Sequence, residues 1–145
     1  MGGPGFRFAA PAGWRVSRTP TSVTARPRAG SSTLVSAEVY RLGKPYSPDE
    51  FDAAAKELDG VAARLARAAG GTVTSSETTT VAGRKIRAYR FTAAPGGGDS
   101  FDDRVGFVLV GRREVQLLCQ APSGGGDADG SCALLFDTFS LNGGR

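Results

Sequence analysis

The clearest pattern in the chain is an apolar stripe that repeats in alternating steps of four and three residues. Its members are Phe51, Ala55, Leu58, Ala62, Leu65 and Ala69. Such spacing predicts an amphipathic helix whose stripe packs on a core. Ser47, Pro48 and Glu50 precede the stripe as a capping box with proline at the first helical position, and Gly70 follows it. We therefore predict a helix that begins after Ser47 and ends before Gly70.

Other segments alternate with a period of two, which predicts strands. Residues 33–41, TLVSAEVYR, predict a strand with one wet face. Residues 6–16, FRFAAPAGWRV, predict two short strands around a Pro-Gly turn, with Trp14 packing the sheet onto a helix. Residues 71–81, GTVTSSETTTV, are polar and β-branched, as an edge strand would be. Residues 83–93, GRKIRAYRFTA, predict the next strand, entered through a turn at Ala82-Gly83.

The last third of the chain predicts a central hairpin and a short helix. RVGFVLVG, residues 104–111, is apolar on both faces, which is typical of a strand in the middle of its sheet. A tight turn near Gly111-Arg112 returns the chain as EVQLLCQA. An amphipathic helix is then predicted from four apolar residues at i, i+3, i+4 and i+7, namely Cys132, Leu135, Phe136 and Phe139. The predicted fold class is α+β, a twisted antiparallel β-sheet flanked by helices.

Length and composition fit one globular domain. The chain has 145 residues, of which 40% are hydrophobic and 22% charged. We predict a single domain over residues 6–142, a disordered or added tail at 1–5 and a short tail at 143–145. No apolar run approaches the roughly 18 residues that span a bilayer. Membrane association is therefore expected only through a segment absent from this chain.

The charge pattern argues against nucleic acid as a partner. The net charge of +4 comes from 15 Arg and 3 Lys against 14 acidic residues. No basic run exceeds two residues, as at Arg84-Lys85 and Arg112-Arg113, and acidic residues lie among them. A nucleic-acid interface would show a clustered basic face.

The only two cysteines, Cys119 and Cys132, both lie on core-facing stripes. Their spacing is unlike a C-x-x-C redox motif, and zinc would need two further ligands in a chain without His or a third Cys. Two interpretations remain, a buried pair of free thiols or a disulfide, and we favour the disulfide. Because disulfides persist in oxidising compartments, we expect an extracytoplasmic protein, secreted or anchored in the cell envelope.

The Gly-rich loop GGGDADG at residues 124–130 has some features of a phosphate-binding loop and of a calcium-binding loop, but it matches neither pattern. It lacks the Gly-Lys-Ser/Thr ending of a phosphate loop. It also lacks the third oxygen ligand and the closing Glu of a calcium loop. Asp127 or Asp129 as the N-cap of the following helix explains the same residues. We predict no metal and no cofactor.

No catalytic group of residues is visible. Without His, neither a Ser-His-Asp nor a Cys-His arrangement can form. Asp102 and Asp103 are adjacent, so on a strand they point to opposite faces. The acidic residues at 49, 50 and 52 suit the first turn of a helix. We predict that the protein is not an enzyme and has no catalytic residues.

A binding role is the better candidate. Basic residues lie along residues 84–90 together with Tyr89, and others lie around the neighbouring hairpin. Two interpretations stay open: a solvated sheet face, or a cationic face that receives an anionic or amphiphilic envelope ligand or a membrane-protein partner. The residues predicted to bind such a ligand are Arg87, Tyr89, Arg104 and Arg112.

Three segments together resemble the PsbP-like superfamily, in particular the LpqN-like domains of actinobacterial envelope lipoproteins. They are FRFAAPAGW, AGRKIRAYRF and the closing VLVGRREVQLLCQAP…C…LFDTFSL, and the resemblance extends from about Phe6 to Leu141. It implies an α-β-α sandwich around a twisted antiparallel sheet. It also implies a role without catalysis, since relatives act as extrinsic photosystem II subunits, Ran-binding factors or envelope proteins.

Two functional hypotheses follow. The first is a non-catalytic extracytoplasmic binding or adaptor domain of a lipoprotein-like envelope protein. The second is the extracellular sensor domain of a larger membrane protein, such as a receptor Ser/Thr kinase. A lipobox Cys upstream in the gene would support the first, whereas a kinase domain and a membrane helix would support the second.

Overall fold

The computed structural model describes residues 2–3, 5–27, 33–123 and 128–142. These residues form two helices and nine strands. In chain order they are β1 (Gly2–Gly3), β2 (Phe6–Arg7), β3 (Arg15–Arg18), β4 (Ser22–Arg26), β5 (Leu34–Tyr46), α1 (Phe51–Ala68), β6 (Gly71–Val81), β7 (Arg84–Ala93), β8 (Phe101–Pro122), α2 (Ala128–Thr138) and β9 (Ser140–Leu141). A 3-10 turn at Pro48–Glu50 leads directly into α1.

The main sheet is antiparallel throughout and has the order β3-β4-β5-β8-β7-β6. Its centre, β8, is a hairpin. A fully extended strand of this length would be about 70 Å long, yet the Ser123 N–H donates to the Ser100 carbonyl at 3.0 Å, so the two ends meet. The reversal lies at Gly111, whose φ is +58°. The predicted turn near Gly111-Arg112 is thus confirmed.

The two arms of β8 have different neighbours. The first arm (residues 101–110) pairs with β7, and the second arm (residues 113–122) pairs with β5. Both arms are therefore interior strands. This position explains the apolar residues on both faces of the first arm, as the sequence predicted.

One helix covers each face of the sheet. On the face that we call the α1 face, Leu58, Ala62 and Ala66 pack with Tyr89 and other sheet residues. On the opposite α2 face, a second core contains Leu135, Phe136 and residues of β4, β5, β7 and β8. The predicted α-β-α sandwich is confirmed. No helix in the described ranges is long and apolar enough to cross a membrane.

The start of α1 follows the predicted capping pattern. The Glu50 carboxylate accepts the Ser47 backbone N–H at 3.0 Å, and Pro48 begins the 3-10 turn. The buried stripe passes through Ala66 rather than ending on Ala69, and Leu65 is only partly buried. The stripe therefore packs on the sheet as predicted, with a small rotation.

Phe136 of α2 lies directly on the backbone of β8. A Cβ atom added at Gly106 would lie 2.7 Å from Cε2 of Phe136 and 3.2 Å from Cδ1 of Ile86. Only glycine permits this approach. Trp14 is partly buried against the same core, in agreement with its predicted role.

Two strand features were not predicted. β4 alternates buried Val23 and Ala25 with more exposed residues, but this run is short and lies between Pro20 and Pro27. β1 pairs with β2, and β2 pairs with β9, so a small second sheet joins the two ends of the described chain. Gly2–Gly3, expected in a tail, belongs to this sheet.

The capping prediction for the second helix is only partly addressed. Asp127 lies outside the described residues. Since α2 begins at Ala128, Asp129 lies inside the first turn and is not the N-cap.

We expect the two leucines of α1 to differ in their contribution to stability. Leu58 is 6% exposed, whereas Leu65 lies at the margin of the core. Leu58→Ala should lower the free energy of unfolding by about 2–4 kcal/mol, and Leu65→Ala by about 1 kcal/mol. Urea unfolding measures both. A loss under about 0.5 kcal/mol for Leu58→Ala would mean that the α1 stripe does not pack on the sheet.

Candidate functional site

The residues predicted to form one ligand-binding face lie on opposite faces of the sheet. Tyr89 belongs to the α1-face core, and Arg87, two residues before it, points to the same side and contacts α1. Arg104 lies opposite Arg90 in the register, and its guanidinium sits 4.0 Å from the ring centroid of Phe136 on the α2 face. The predicted shared face of Arg87, Tyr89 and Arg104 is therefore wrong, because β7 and β8 pair in a register that separates them.

Arg87 and Tyr89 form a cluster with Asp59 of α1. The Tyr89 hydroxyl donates a short hydrogen bond to Oδ1 of Asp59, and Nη2 of Arg87 donates to the same oxygen at 3.2 Å. Nη1 of Arg87 donates to Oγ1 of Thr78 at 3.2 Å, and the guanidinium lies 5.4 Å from the Tyr89 ring centroid. The cluster joins α1 to β6 and β7, so both predicted ligand-binding side chains serve the fold.

Protonation equilibria in this cluster reflect the shared oxygen. The Tyr89 hydroxyl has the largest effect and lowers the pKa of Asp59; burial opposes this shift, and the Arg87 guanidinium lowers the pKa further. Burial, followed by the hydrogen bond to Asp59, raises the pKa of Tyr89 to about 12. The carboxylate and the neutral phenol are thus the stable forms near neutral pH.

Arg104 and Arg112 have separate structural partners. Nη2 of Arg104 donates to Oε1 of Glu77 at 3.0 Å, and its side chain is only 16% exposed. Nη1 of Arg112 donates to the Gly43 carbonyl at 3.0 Å, at the turn end of the β8 hairpin. Neither guanidinium is arranged with Arg87 around a common ligand position.

Cys119 and Cys132 form a disulfide. Their Cα atoms are 5.5 Å apart, both residues are 4% exposed, and no free cysteine exists. The favoured prediction for this pair is confirmed. The bond joins the second arm of β8 to α2, and in the chain-entropy model a loop of this size stabilises by roughly 3 kcal/mol.

Asp102 and Asp103 point to opposite faces, as predicted. Asp102 accepts hydrogen bonds from Thr92 at 3.2 Å and from Ser123 at 3.0 Å. Asp103 lies on the α1 face, is 7% exposed, and its Oδ1 has no hydrogen-bond partner. Burial, with a smaller effect of the Asp102 charge, raises the pKa of Asp103 to about 6.

A cavity of about 520 Å³ opens on the α1 face beside the start of α1. Its walls come from the end of β5, the first turns of α1 and the first arm of β8. The lining residues are Leu42, Gly43, Lys44, Pro45, Tyr46, Glu50, Ala53, Ala54, Glu57 and Leu109. None of the four predicted ligand-binding residues lines it, although Arg112 holds its Gly43 wall in place. In the described residues, no group of three or more His, Cys, Asp or Glu side chains could hold a metal ion.

Comparison with solved structures shows the fold. LpqN of Mycobacterium tuberculosis, described as involved in cell envelope biogenesis, matches with a TM-score of 0.66 and 12% identity, over 97% of this chain and 86% of LpqN. The solution structure of cyanobacterial PsbP (CyanoP) from Synechocystis sp. PCC 6803 matches with a TM-score of 0.68 and 10% identity, over 95% and 87% of the two chains. The chain has a PsbP-like and LpqN-like fold, as its sequence motifs indicated.

A third neighbour is a larger protein. A crystal structure from Bacteroides thetaiotaomicron VPI-5482 matches with a TM-score of 0.66 and 12% identity over 94% of this chain. The match covers 45% of that protein, so the present chain spans less than half of its length. Neither a family model nor a curated protein sequence matches this chain.

We expect the Tyr89 hydroxyl to stabilise the contact between α1 and the sheet. Tyr89→Phe should lower the free energy of unfolding by about 1–2 kcal/mol, because it removes the main hydrogen bond to Asp59 within a partly buried site. Tyr40→Phe is the matched control, since that hydroxyl is exposed and donates to Glu38 at 3.1 Å; its effect should be under about 0.5 kcal/mol. Equal losses in urea unfolding would contradict the stabilising role.

Asp103 should make the stability depend on pH. Its folded-state pKa of about 6 exceeds the ordinary value of 3.8. The native state therefore binds the proton more tightly, and stability is lost as pH rises from about 4 through about 6. Across that interval the free energy of unfolding of wild type should fall by about 2–3 kcal/mol relative to that of Asp103→Asn, because the asparagine cannot ionise.

Urea unfolding of both proteins at several pH values measures this difference. Asp137→Asn, which removes an exposed carboxylate of α2, should run parallel to wild type. A constant difference between wild type and Asp103→Asn over the whole range would show that Asp103 titrates normally.

Proposed function

We propose that this chain is a non-catalytic binding or adaptor domain that works outside the cytoplasm, in the cell envelope. The observation that carries the proposal is the disulfide between Cys119 and Cys132. Disulfides of this structural kind persist in oxidising compartments and are rare in the cytosol. A bond that ties the central hairpin to α2 is part of the architecture and depends on such a compartment.

The fold supports the same location. The LpqN structure is that of a protein involved in cell envelope biogenesis, and it aligns over nearly all of this chain. A fold alone carries no function. The argument for the envelope therefore rests on the fold together with the disulfide.

Two carboxylates that could have served catalysis have structural partners. Asp59 is bonded to Tyr89 and Arg87, and Asp102 to Thr92 and Ser123. The chain has no His, and both cysteines are in the disulfide. What the described surface does offer is the cavity beside α1, and a concave, mostly apolar cavity of this size suits ligand binding.

A sensor domain within a longer membrane protein is a second candidate. It is favoured by the Bacteroides structure, in which the same fold makes up less than half of a chain. The gene sequence on both sides of the region that encodes this chain distinguishes the lipoprotein from the sensor. An upstream lipobox Cys supports the lipoprotein, whereas a membrane helix and a kinase domain support the sensor.

The redox state of the cysteines in living cells tests the location. In the native host, the full-length protein should not react with a maleimide-polyethylene glycol reagent under denaturing conditions unless a reductant is added first. Intact mass should rise by two hydrogens on reduction. A Cys119→Ser variant is the control, because it frees Cys132 and should take up one label without reductant.

Labelling of both cysteines without reductant would overturn the extracytoplasmic assignment. The cells must be acid-quenched before lysis so that air oxidation cannot create the bond afterwards.

A further inference from the structure

The cavity beside α1 exists because β5 leaves the sheet before it ends. β5 pairs with β8 as far as Arg41, which is opposite Arg113, and pairs again only at Tyr46, which is opposite Gly111. Residues 42–45, which we call the β5 bulge, have no ladder partner in between. The bulge forms one wall of the cavity, which Leu109 also lines. The other wall is α1, where Ala53 and Ala54 are too small to fill the gap.

The interior of the cavity is mainly apolar, and its charges are mainly negative. Leu42, Pro45 and Leu109 provide apolar walls. Glu50 and Glu57 also line it, with Lys44 as the one cationic lining residue. Within the described part of the chain, Glu57 has no hydrogen-bond or ion-pair partner.

Neighbouring residues extend the negative field. Glu114 follows the hairpin turn on the same face as Leu109, and it lies opposite Tyr40, whose hydroxyl donates to Glu38. After burial, the charges of Glu38 and Glu114 raise the pKa of Tyr40. Burial and then Glu50 raise the pKa of Tyr46 in the cavity wall, against an opposing effect of Arg84. The lining itself carries Glu50 and Glu57 against Lys44, and the nearby cations Arg84 and Arg112 act on Tyr46 and the Gly43 carbonyl.

We propose that this cavity binds a small amphiphile with a cationic head, its apolar part between Leu42 and Leu109 and its ammonium or guanidinium group at Glu57. A volume of about 520 Å³ matches a drug-sized ligand. An exposed carboxylate without a partner in the wall of an apolar cavity favours a cation over a neutral or anionic head. The charge sign is opposite to the anionic ligand that the arginine content suggested.

The inference rests on the proposed binding function but can fail separately from the proposed location, which depends on the disulfide. A negative binding result with oxidised cysteines in cells would remove the ligand class and leave the location. Reduced cysteines in cells together with binding in the cavity would remove the proposed location and leave the ligand class.

Calorimetric titration with three eight-carbon probes tests the proposal: octylammonium, octanoate and 1-octanol, each below its micelle concentration. Octylammonium should bind the wild type most tightly, and its affinity should fall as NaCl is added. Glu57→Gln should weaken octylammonium about fivefold, as expected for one partly exposed ion pair, and leave octanol unchanged. Ala53→Phe should abolish binding of both by filling the cavity.

Controls separate binding from folding. Asp137→Asn removes a carboxylate on α2, on the other side of the sheet, and should bind octylammonium like wild type. Ala53 and Glu57 are exposed positions of α1, so both variants should keep the wild-type unfolding midpoint. Octanoate or octanol binding at least as tightly as octylammonium would overturn the proposal. So would octylammonium that fails to bind, or that binds wild type, Glu57→Gln and Ala53→Phe equally.

Discussion

Burial of the β8 hairpin on both faces is the constraint from which the remaining structure follows. Its two arms lie between β5 and β7, and side chains such as Phe107 and Leu117 fill a core on each side of the sheet. A sheet that is apolar on both faces needs a cover on each. The chain supplies one helix from the middle of the sequence and one from its end.

The two covers are attached by different chemistry. α2 is bonded covalently through Cys132, and Phe136 lies on the bare backbone of Gly106. α1 is attached by small apolar side chains and by Asp59, which receives Tyr89 and Arg87. The α2 contact therefore depends on redox conditions. The hydrogen bonds of α1 depend on the Asp59 carboxylate, whose lowered pKa keeps it charged until the solution is acidic.

The sequence predicted this fold well because its elements have strong periodic signals. The helical stripe at Leu58, the alternation along β5 and the doubly apolar first arm of β8 each depend on local spacing alone. The binding face could not be predicted in the same way. Whether Arg104 joins Arg87 depends on the register of β7 against β8, and a shift of one residue moves every side chain to the other face.

The cavity also could not be predicted from the hydrophobic periodicity of the sequence. It arises where β5 departs from its ladder between Arg41 and Tyr46, and only Gly43 and Pro45 hint at an irregular strand. Arginine content also did not predict an open cationic face, because Arg87 and Arg104 are paired with Asp59 and Glu77 within the fold.

The pairing of Arg87 and Arg104 has a simple physical origin. Guanidinium groups on a sheet covered by helices are partly buried, and a partly buried charge requires a counter-ion from a neighbouring element. Arg87 and Arg104 therefore pair with Asp59 and Glu77 inside the fold and contribute less to the surface field. Glu57 lies outside those pairs and lines the cavity, where we propose that it holds a cationic head group. The charge that a ligand in this cavity would meet is therefore set by the unpaired lining residues rather than by the net charge of the chain.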